Sequence, residues 1–217
     1  MEYASVDRTK AEAQSWYDRL APWYDRLIHP FERRAIRRCL DVAAIDRGES
    51  VLEIGSGTGH TLLELADATG DTGRAIGIDF AAEMVALTDV KLGRANVPAG
   101  AVMQADATAL PFGDDVYDVL VMTFTLELFP TDELVTVLEE ASRVLRDDGR
   151  LVILSLYRRG RMAAVYEAVH NRFPRAFDCR PLPLPDVLIA QHWRVHGTRT
   201  GTIGGIPYII ADARQVQ

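Results

Sequence analysis

The strongest constraint in the sequence is a glycine-rich turn wedged between an apolar run and a helix-forming segment: Val51-Leu52-Glu53-Ile54, then Gly55-Ser56-Gly57-Thr58-Gly59. Glycines at alternate positions let a backbone turn tightly and approach a ligand without a Cβ in the way. The apolar run reads as a buried strand, and Thr58 to about Ala68, with Leu62, Leu63 and Leu65 inward, as the helix that follows. Strand, turn and helix in that order form a place where α/β sheets bind small molecules; the alternative is a structural turn without a ligand.

The same cycle recurs. Ala75-Ile76-Gly77-Ile78 precedes a helix from Ala81 to Leu92, Ala101-Val102-Met103-Gln104 is a third strand, and Val116 to Met122 precedes a helix from Asp132 to Leu145. Gly149 reads as a helix-ending glycine before a fifth strand, Leu151-Val152-Ile153-Leu154, and a further helix is expected near Arg161 to Phe173. Short apolar strands alternating with helices predict an α/β fold with a doubly wound, mostly parallel sheet covered on both faces. Upstream, Asp7 to Ala44 is helical in pattern and predicts two helices with a break near Ala21-Pro22. Downstream, Trp193 to Thr202 and Ile206 to Ala211, joined at Gly204-Gly205-Ile206-Pro207, predict a closing antiparallel hairpin. Without repeats or a long linker the chain parses as one domain: residues 1–47 an N-terminal lid, 48–156 a cofactor-binding core, and 157–217 acceptor-side elements.

The spacing of the turn narrows the ligand. A dinucleotide fingerprint needs GxGxxG, whereas His60 follows Gly59 here, and no lysine follows as a P-loop requires. With Glu53 ahead of the turn and no Lys or Arg in it, the site suits a ligand with cationic centres better than a pyrophosphate. S-adenosylmethionine carries a sulfonium and an ammonium, and its carboxylate can be received by exposed amides. Asp79 ends the second strand, where a carboxylate can accept from both hydroxyls of a ribose; a helix-capping aspartate is the alternative. Asp106 ends the third strand and can accept from an adenine amino group, with Met84 and Phe112 over the ring faces. A turn aspartate and two core residues are the alternative.

Composition excludes several classes. Hydrophobic residues at 48% and charged residues at 25% describe an ordinary globular domain. Cys39 and Cys179 lack metal-site spacing, as do His60, His170 and His192, so no metal is expected. The N-terminus has no signal-peptide pattern and no stretch is long and apolar enough to span a bilayer, which predicts a cytoplasmic location. A net charge of −7 disfavours nucleic acid as a partner. Two basic clusters, Arg33-Arg34-Arg37-Arg38 opposite Phe31, Ile36 and Leu40, and Arg158-Arg159-Gly160-Arg161, read either as solvated faces or as contacts with an anionic lipid surface. Monomer and homodimer both stay open.

Four segments together carry a family resemblance: Val51 to Gly59, Gly77-Ile78-Asp79, Ala105-Asp106-Ala107-Thr108-Ala109-Leu110-Pro111-Phe112, and Arg143-Val144-Leu145-Arg146-Asp147-Asp148-Gly149. As an ordered set they resemble class I S-adenosylmethionine-dependent methyltransferases, in particular the small-molecule branch with the ubiquinone and menaquinone C-methyltransferases. Trp16-Tyr17-Asp18 and Trp23-Tyr24-Asp25 are similar to that branch's N-terminal lid. The resemblance implies a seven-stranded sheet with an antiparallel last strand, Glu53 organising the glycine loop, Asp79 on the ribose, Asp106 on the adenine and Thr123 at the methionyl part. The residues expected at the cofactor are then Tyr24, Glu53, Gly55, Ser56, Gly57, Gly59, Asp79, Met84, Asp106, Ala107 and Thr123. Tyr17, and Tyr157 past the fifth strand, are expected on the acceptor side, a small or lipidic molecule such as a quinol or phenol.

Methyl transfer from a sulfonium is an in-line displacement, so holding the reactants at near-attack distance in a dry pocket is most of the work. An acceptor that must lose a proton benefits from a general base. Glu127, after the fourth strand, is the candidate, with a solvent-facing loop carboxylate as the alternative. The competing functions are a nucleic-acid methyltransferase, opposed by the charge and by Thr123-Phe124-Thr125-Leu126 where base-amino enzymes carry Asn/Asp-Pro-Pro-aromatic, and a cofactor-binding protein without turnover. A nicotinamide dehydrogenase is opposed by the GxGxG spacing.

Overall fold

The computed structural model describes residues 10–159 and 179–216. In chain order they form α1 (Lys10–Leu27), α2 (His29–Ala43), β1 (Ser50–Ile54), α3 (His60–Thr69), β2 (Arg74–Asp79), α4 (Ala82–Arg94), β3 (Val102–Gln104) and β4 (Tyr117–Thr123). A 3-10 turn at Leu126–Leu128 leads to α5 (Thr131–Val144), β5 (Leu145–Leu156), α6 (Leu184–Ala190), β6 (Trp193–Ile203) and β7 (Ile206–Gln215). The helix expected near Arg161 to Phe173, and with it His170 and the Gly160-Arg161 part of the second basic cluster, lies outside the described residues.

The strands make one seven-stranded sheet in the order β3-β2-β1-β4-β5-β7-β6. β1 to β5 run parallel, and β7 is antiparallel to both β5 and β6, so the expected closing hairpin is present. Strand order reverses at β1, with β2 on one side and β4 on the other, and such a switch point opens a crevice beyond the strand C-termini.

Side-chain alternation divides the core into two layers. Leu52, Ile54, Leu120, Met122, Leu151 and Ile153 face Leu134, Val137 and Leu138 of α5 and Leu184, Val187 and Leu188 of α6. Val51, Val119, Val121, Val152 and Leu154 face Ala35, Ile36 and Cys39 of α2 and Leu62 and Leu65 of α3. Coverage on both faces explains why the central strands are apolar throughout.

Two sequence expectations need correction. The N-terminal break falls at Ile28, and Pro22 lies inside α1. Pro30 sits in the first turn of α2, where the N–H that proline lacks would have no helical partner, so it starts a helix without loss. Pro22 forfeits one helical bond, but its neighbours Ala21, Tyr17 and Tyr24 pack on Ala81 and Met84. Gly149 ends no helix: α5 gives way directly to β5, and Gly149 lies within that strand, beside the irregularity where Tyr117 pairs Leu145 and Val119 pairs Arg150. A Cβ there would lie 2.9 Å from the Arg146 carbonyl oxygen and 3.2 Å from that of Asp118, so close backbone approach selects the glycine. Among the described residues no helix is long and apolar enough to cross a membrane.

Candidate cofactor and acceptor site

The glycine turn is held from behind by β2. Gly55 and Ser56 donate N–H groups to the Ile78 carbonyl at 2.8 and 2.9 Å, and Gly57 donates to Asp79 Oδ2 at 2.8 Å. Asp79 Oδ1 accepts from Ala81 N–H at 2.9 Å, so this carboxylate braces the turn and leads the chain into α4. Gly55, Gly57 and Gly59 all have positive φ. Gly59 packs on Thr88, whose hydroxyl donates to the Gly57 carbonyl at 2.8 Å.

In front of the turn lies a cavity of about 490 Å³, closed by α1 and the start of α2. It gathers Gly55, Gly57, Asp79, Met84, Asp106, Ala107, Thr123, Tyr17 and Tyr24 from the residues singled out in the sequence. Asp106 Oδ1 accepts from both the N–H and the hydroxyl of Thr108, at 2.9 and 2.7 Å, forming a turn at the cavity edge. Beyond β4, Phe124 lines the cavity with φ 53°, a left-handed conformation unusual for a bulky residue and common at binding sites.

Other expected residues stand elsewhere. Glu53 is fully buried beneath the turn, with the Thr61 side chain as a polar neighbour. Burial, with the nearby charge of Asp79, pushes its pKa well up. Within the turn, Ser56 and Gly59 do not line the cavity, and the Ser56 hydroxyl is buried near Gly77. Tyr157 bridges to Leu182 and bonds the Pro207 carbonyl at 2.9 Å, away from the cavity wall. Phe112 packs edge-on against Tyr117 at 5.2 Å rather than over a ligand face. Glu127 is neither solvent-facing nor on the cavity wall: it is completely buried, and Oε1 accepts from Leu156 N–H at 3.0 Å, clamping the 3-10 turn to β5. Arg38, one of the first basic cluster, donates to the Tyr208 hydroxyl at 2.9 Å.

The aromatic-acid segments of α1 dock as a pair seven residues apart, two helical turns on one face. Tyr17 and Tyr24 line the cavity, while Asp18 accepts from Glu83 N–H at 3.0 Å at the start of α4. Asp25 takes the Thr58 hydroxyl of the glycine turn and Lys91 Nζ of α4 at 3.0 Å, and lies 3.1 Å from His60 Nε2. His60 stacks on His29 with ring centroids 3.8 Å apart. The cover is thus tied to the turn it covers.

Sequence reasoning missed Glu32 and Glu133, both on the cavity wall. Glu32 sits in the first turn of α2 and accepts from the Tyr24 hydroxyl at 3.1 Å. Burial raises Glu32 and Glu127 to about 7 and Asp79 to about 6. A folded state that holds these protons more tightly than the unfolded chain is most stable where they are bound, and loses that advantage as pH rises through about 6 to 7. The ligand-free protein is therefore expected to show a Tm several degrees higher near pH 5.5 than at pH 8, read by calorimetry. A Tm that climbs towards pH 8 would contradict the protonation of these three groups.

The antiparallel strand beside β5, the glycine turn braced from the end of β2 and the helical cover together frame a crevice beyond the strand C-termini, where α/β sheets bind small molecules. Residues 51–149 match the family described as a methyltransferase domain. It is 32% identical over 126 residues to a demethylmenaquinone methyltransferase of Shouchella clausii, covering 58% of this chain and 52% of the relative. It is 33% identical over 119 residues to a ubiquinone/menaquinone biosynthesis C-methyltransferase of Enterobacter sp., covering 54% and 47%. The chain spans about half the length of these curated relatives. The crystal structure of a SAM-dependent methyltransferase from Aquifex aeolicus shares the fold, with a TM-score of 0.67 at 22% identity over 94% of this chain and 98% of that one.

Proposed function

We propose that the protein transfers a methyl group from S-adenosylmethionine to a small apolar or lipidic acceptor, of the quinol or phenol type that its relatives' names indicate. One observation carries this reading. Among the described residues that line the cavity, four carry carboxyls, Glu32, Asp79, Asp106 and Glu133, and none is a Lys, Arg or His. Such a wall repels a pyrophosphate and suits a ligand bearing sulfonium and ammonium charges.

The shape agrees with the charge. A Cβ on Gly57 would meet nothing within 4 Å, leaving the turn open towards the cavity. Asp79 stands where a ribose would lie, Asp106 and Ala107 beside an adenine, and Thr123 at the methionyl part. Trp16, Tyr17, Leu20, Phe124, Leu128 and Phe129 form an apolar remainder for the acceptor. The cofactor supplies the activated methyl group; the protein supplies alignment and exclusion of water. Calorimetric titration with S-adenosylmethionine, S-adenosylhomocysteine and NAD tests the reading: micromolar binding of the first two supports it, and binding of NAD alone overturns it.

A lipidic acceptor is supported by the outer face of the cover. Trp23, Leu27 and Phe31 are 56%, 57% and 68% exposed, and exposed Arg19, Arg26, Arg33, Arg34 and Arg37 surround them. The acids of that stretch are withdrawn, Asp25 onto Lys91 and Glu32 into the cavity. Aromatic and aliphatic side chains ringed by arginine suit an anionic lipid interface. The protein is expected to sediment with vesicles of equal phosphatidylglycerol and phosphatidylcholine, less at high salt, and the double variant Trp23→Ser/Phe31→Ser to stay in the supernatant. Equal partition of wild type and variant would remove this surface from the reading.

A further inference from the structure

Glu32 is a carboxylate on the cavity wall that the proposed cofactor contacts leave unused. It enters from α2, and its hydrogen-bond partner is the Tyr24 hydroxyl of α1, itself on the wall. Among the described residues, the groups that face this pair from the surrounding elements are acidic or neutral: Glu127 from the turn after β4, Asp79 at the end of β2, and Cys179. Glu133 of α5 lines the same cavity. An enclosed carboxylate held by a single hydroxyl costs stability, so its place is better explained by use than by architecture.

We propose that Glu32 takes up the proton that the acceptor loses during methyl transfer, with Tyr24 as the positioning residue that orients its carboxylate. This rests on the methyltransferase reading and narrows its substrate: the acceptor carries an ionisable hydroxyl, or a carbon activated by one. The acceptor's O–H bond breaks and its proton passes to Glu32. The electron pair released forms the new bond to the methyl carbon, at oxygen or at the activated carbon, while the S–CH3 pair stays on sulfur and yields the neutral thioether. After methylation at carbon, that carbon's own proton passes to water as the ring regains aromaticity, and the oxygen takes back the proton from Glu32, so one proton is released overall. Burial, which raises Glu32 to about 7, puts it in range for such a step, and the Tyr24 hydrogen bond acts in the opposite direction.

The test uses the whole chain with 1,4-naphthohydroquinone and catechol as acceptors, following S-adenosylhomocysteine release from pH 5.5 to 9. Wild type is expected to lose activity below about pH 7 and to level off above it. Glu32→Gln is expected to fall by about 100-fold at pH 8 and to gain roughly tenfold per pH unit as the acceptor ionises by itself. Tyr24→Phe is expected to move the acid limb to higher pH, a shift that loss of packing alone would not produce. S-adenosylhomocysteine titrations on each variant separate the two levels. No cofactor binding by wild type would defeat the methyltransferase reading itself. Cofactor binding with no methylation of either acceptor, or a Glu32→Gln enzyme that keeps wild-type rate and acid limb, would overturn the role of Glu32 alone.

Discussion

Asp79→Ala is expected to weaken S-adenosylmethionine binding by about 100-fold or more, close to 3 kcal/mol. The magnitude follows from two jobs done by one side chain. Its carboxylate lines the cavity where the ribose hydroxyls would donate, and it also accepts from Gly57 and Ala81 N–H groups that shape the turn. Alanine removes the ligand contact and frees the turn together. Asp79→Asn keeps the shape and one acceptor but sets its NH2 against one of the two N–H groups and removes the charge, so it is expected to lose nearly as much. Because burial raises Asp79 to about 6, wild-type affinity is expected to decline below that pH as the carboxylate is protonated, whereas the asparagine variant shows no such decline from this group. Calorimetric titration between pH 5 and 8 reads both effects, and a folded Asp79→Ala protein with undiminished affinity would remove Asp79 from the site.

Gly55→Ala is expected to destabilise the fold by about 3–5 kcal/mol, measured by urea unfolding. Gly55 has φ +78°, and a Cβ there would lie 2.3 Å from Thr125 Oγ1 and 2.4 Å from its Cγ2. Thr125 is buried, and its hydroxyl is tied to the Thr123 carbonyl at 3.1 Å, so moving it aside gives up that hydrogen bond and intrudes on the cavity it lines. Adding Thr125→Ala removes the two closest atoms and leaves its own Cβ at 2.9 Å, so it should restore most of the steric part and leave about 1–2 kcal/mol of left-handed strain. Gly57→Ala is the contrast: with nothing near the added Cβ, its stability cost is expected to be backbone strain alone, about 1 kcal/mol, and its larger effect to fall on cofactor affinity. If Gly55→Ala unfolds at the wild-type urea concentration, the close packing of β1 on the turn after β4 is wrong.

The parts legible in the sequence are those governed by local pattern. The strand and helix periods, the glycine spacing and the acids at strand ends gave the sheet, the turn and the wall residues Asp79 and Asp106, and the family resemblance added Thr123. Prolines misled where tertiary packing decided: Pro22 is tolerated because Tyr17 and Tyr24 anchor α1 on Met84 and Ala81, a contact no local window contains. Gly149 carries the same letter as a helix-ending glycine, and only the approach of the Asp118 carbonyl tells the cases apart. The acids were hardest. Glu32 sits in His29-Pro30-Phe31-Glu32-Arg33-Arg34, a stretch that reads as basic surface, and Glu127 follows a strand end that usually faces a crevice. Their burial is fixed by how α1, α2 and β5 come together, and burial is what sets their chemistry.

The position of β7 constrains how the molecule can be made. It is the seventh strand in sequence yet the sixth across the sheet, and it pairs Tyr208 to Ala213 with Leu156 to Leu151 of β5. While a ribosome is still delivering residues beyond 200, β5 presents six residues of unsatisfied backbone on an apolar strand, an edge of the kind that invites pairing with other chains. The nascent domain therefore passes through a sticky stage that ends only when β7 slides in between β5 and β6, and substitutions that slow hairpin closure at Gly204-Gly205 should lower the yield of assembled protein during synthesis more than they lower the stability of the finished one.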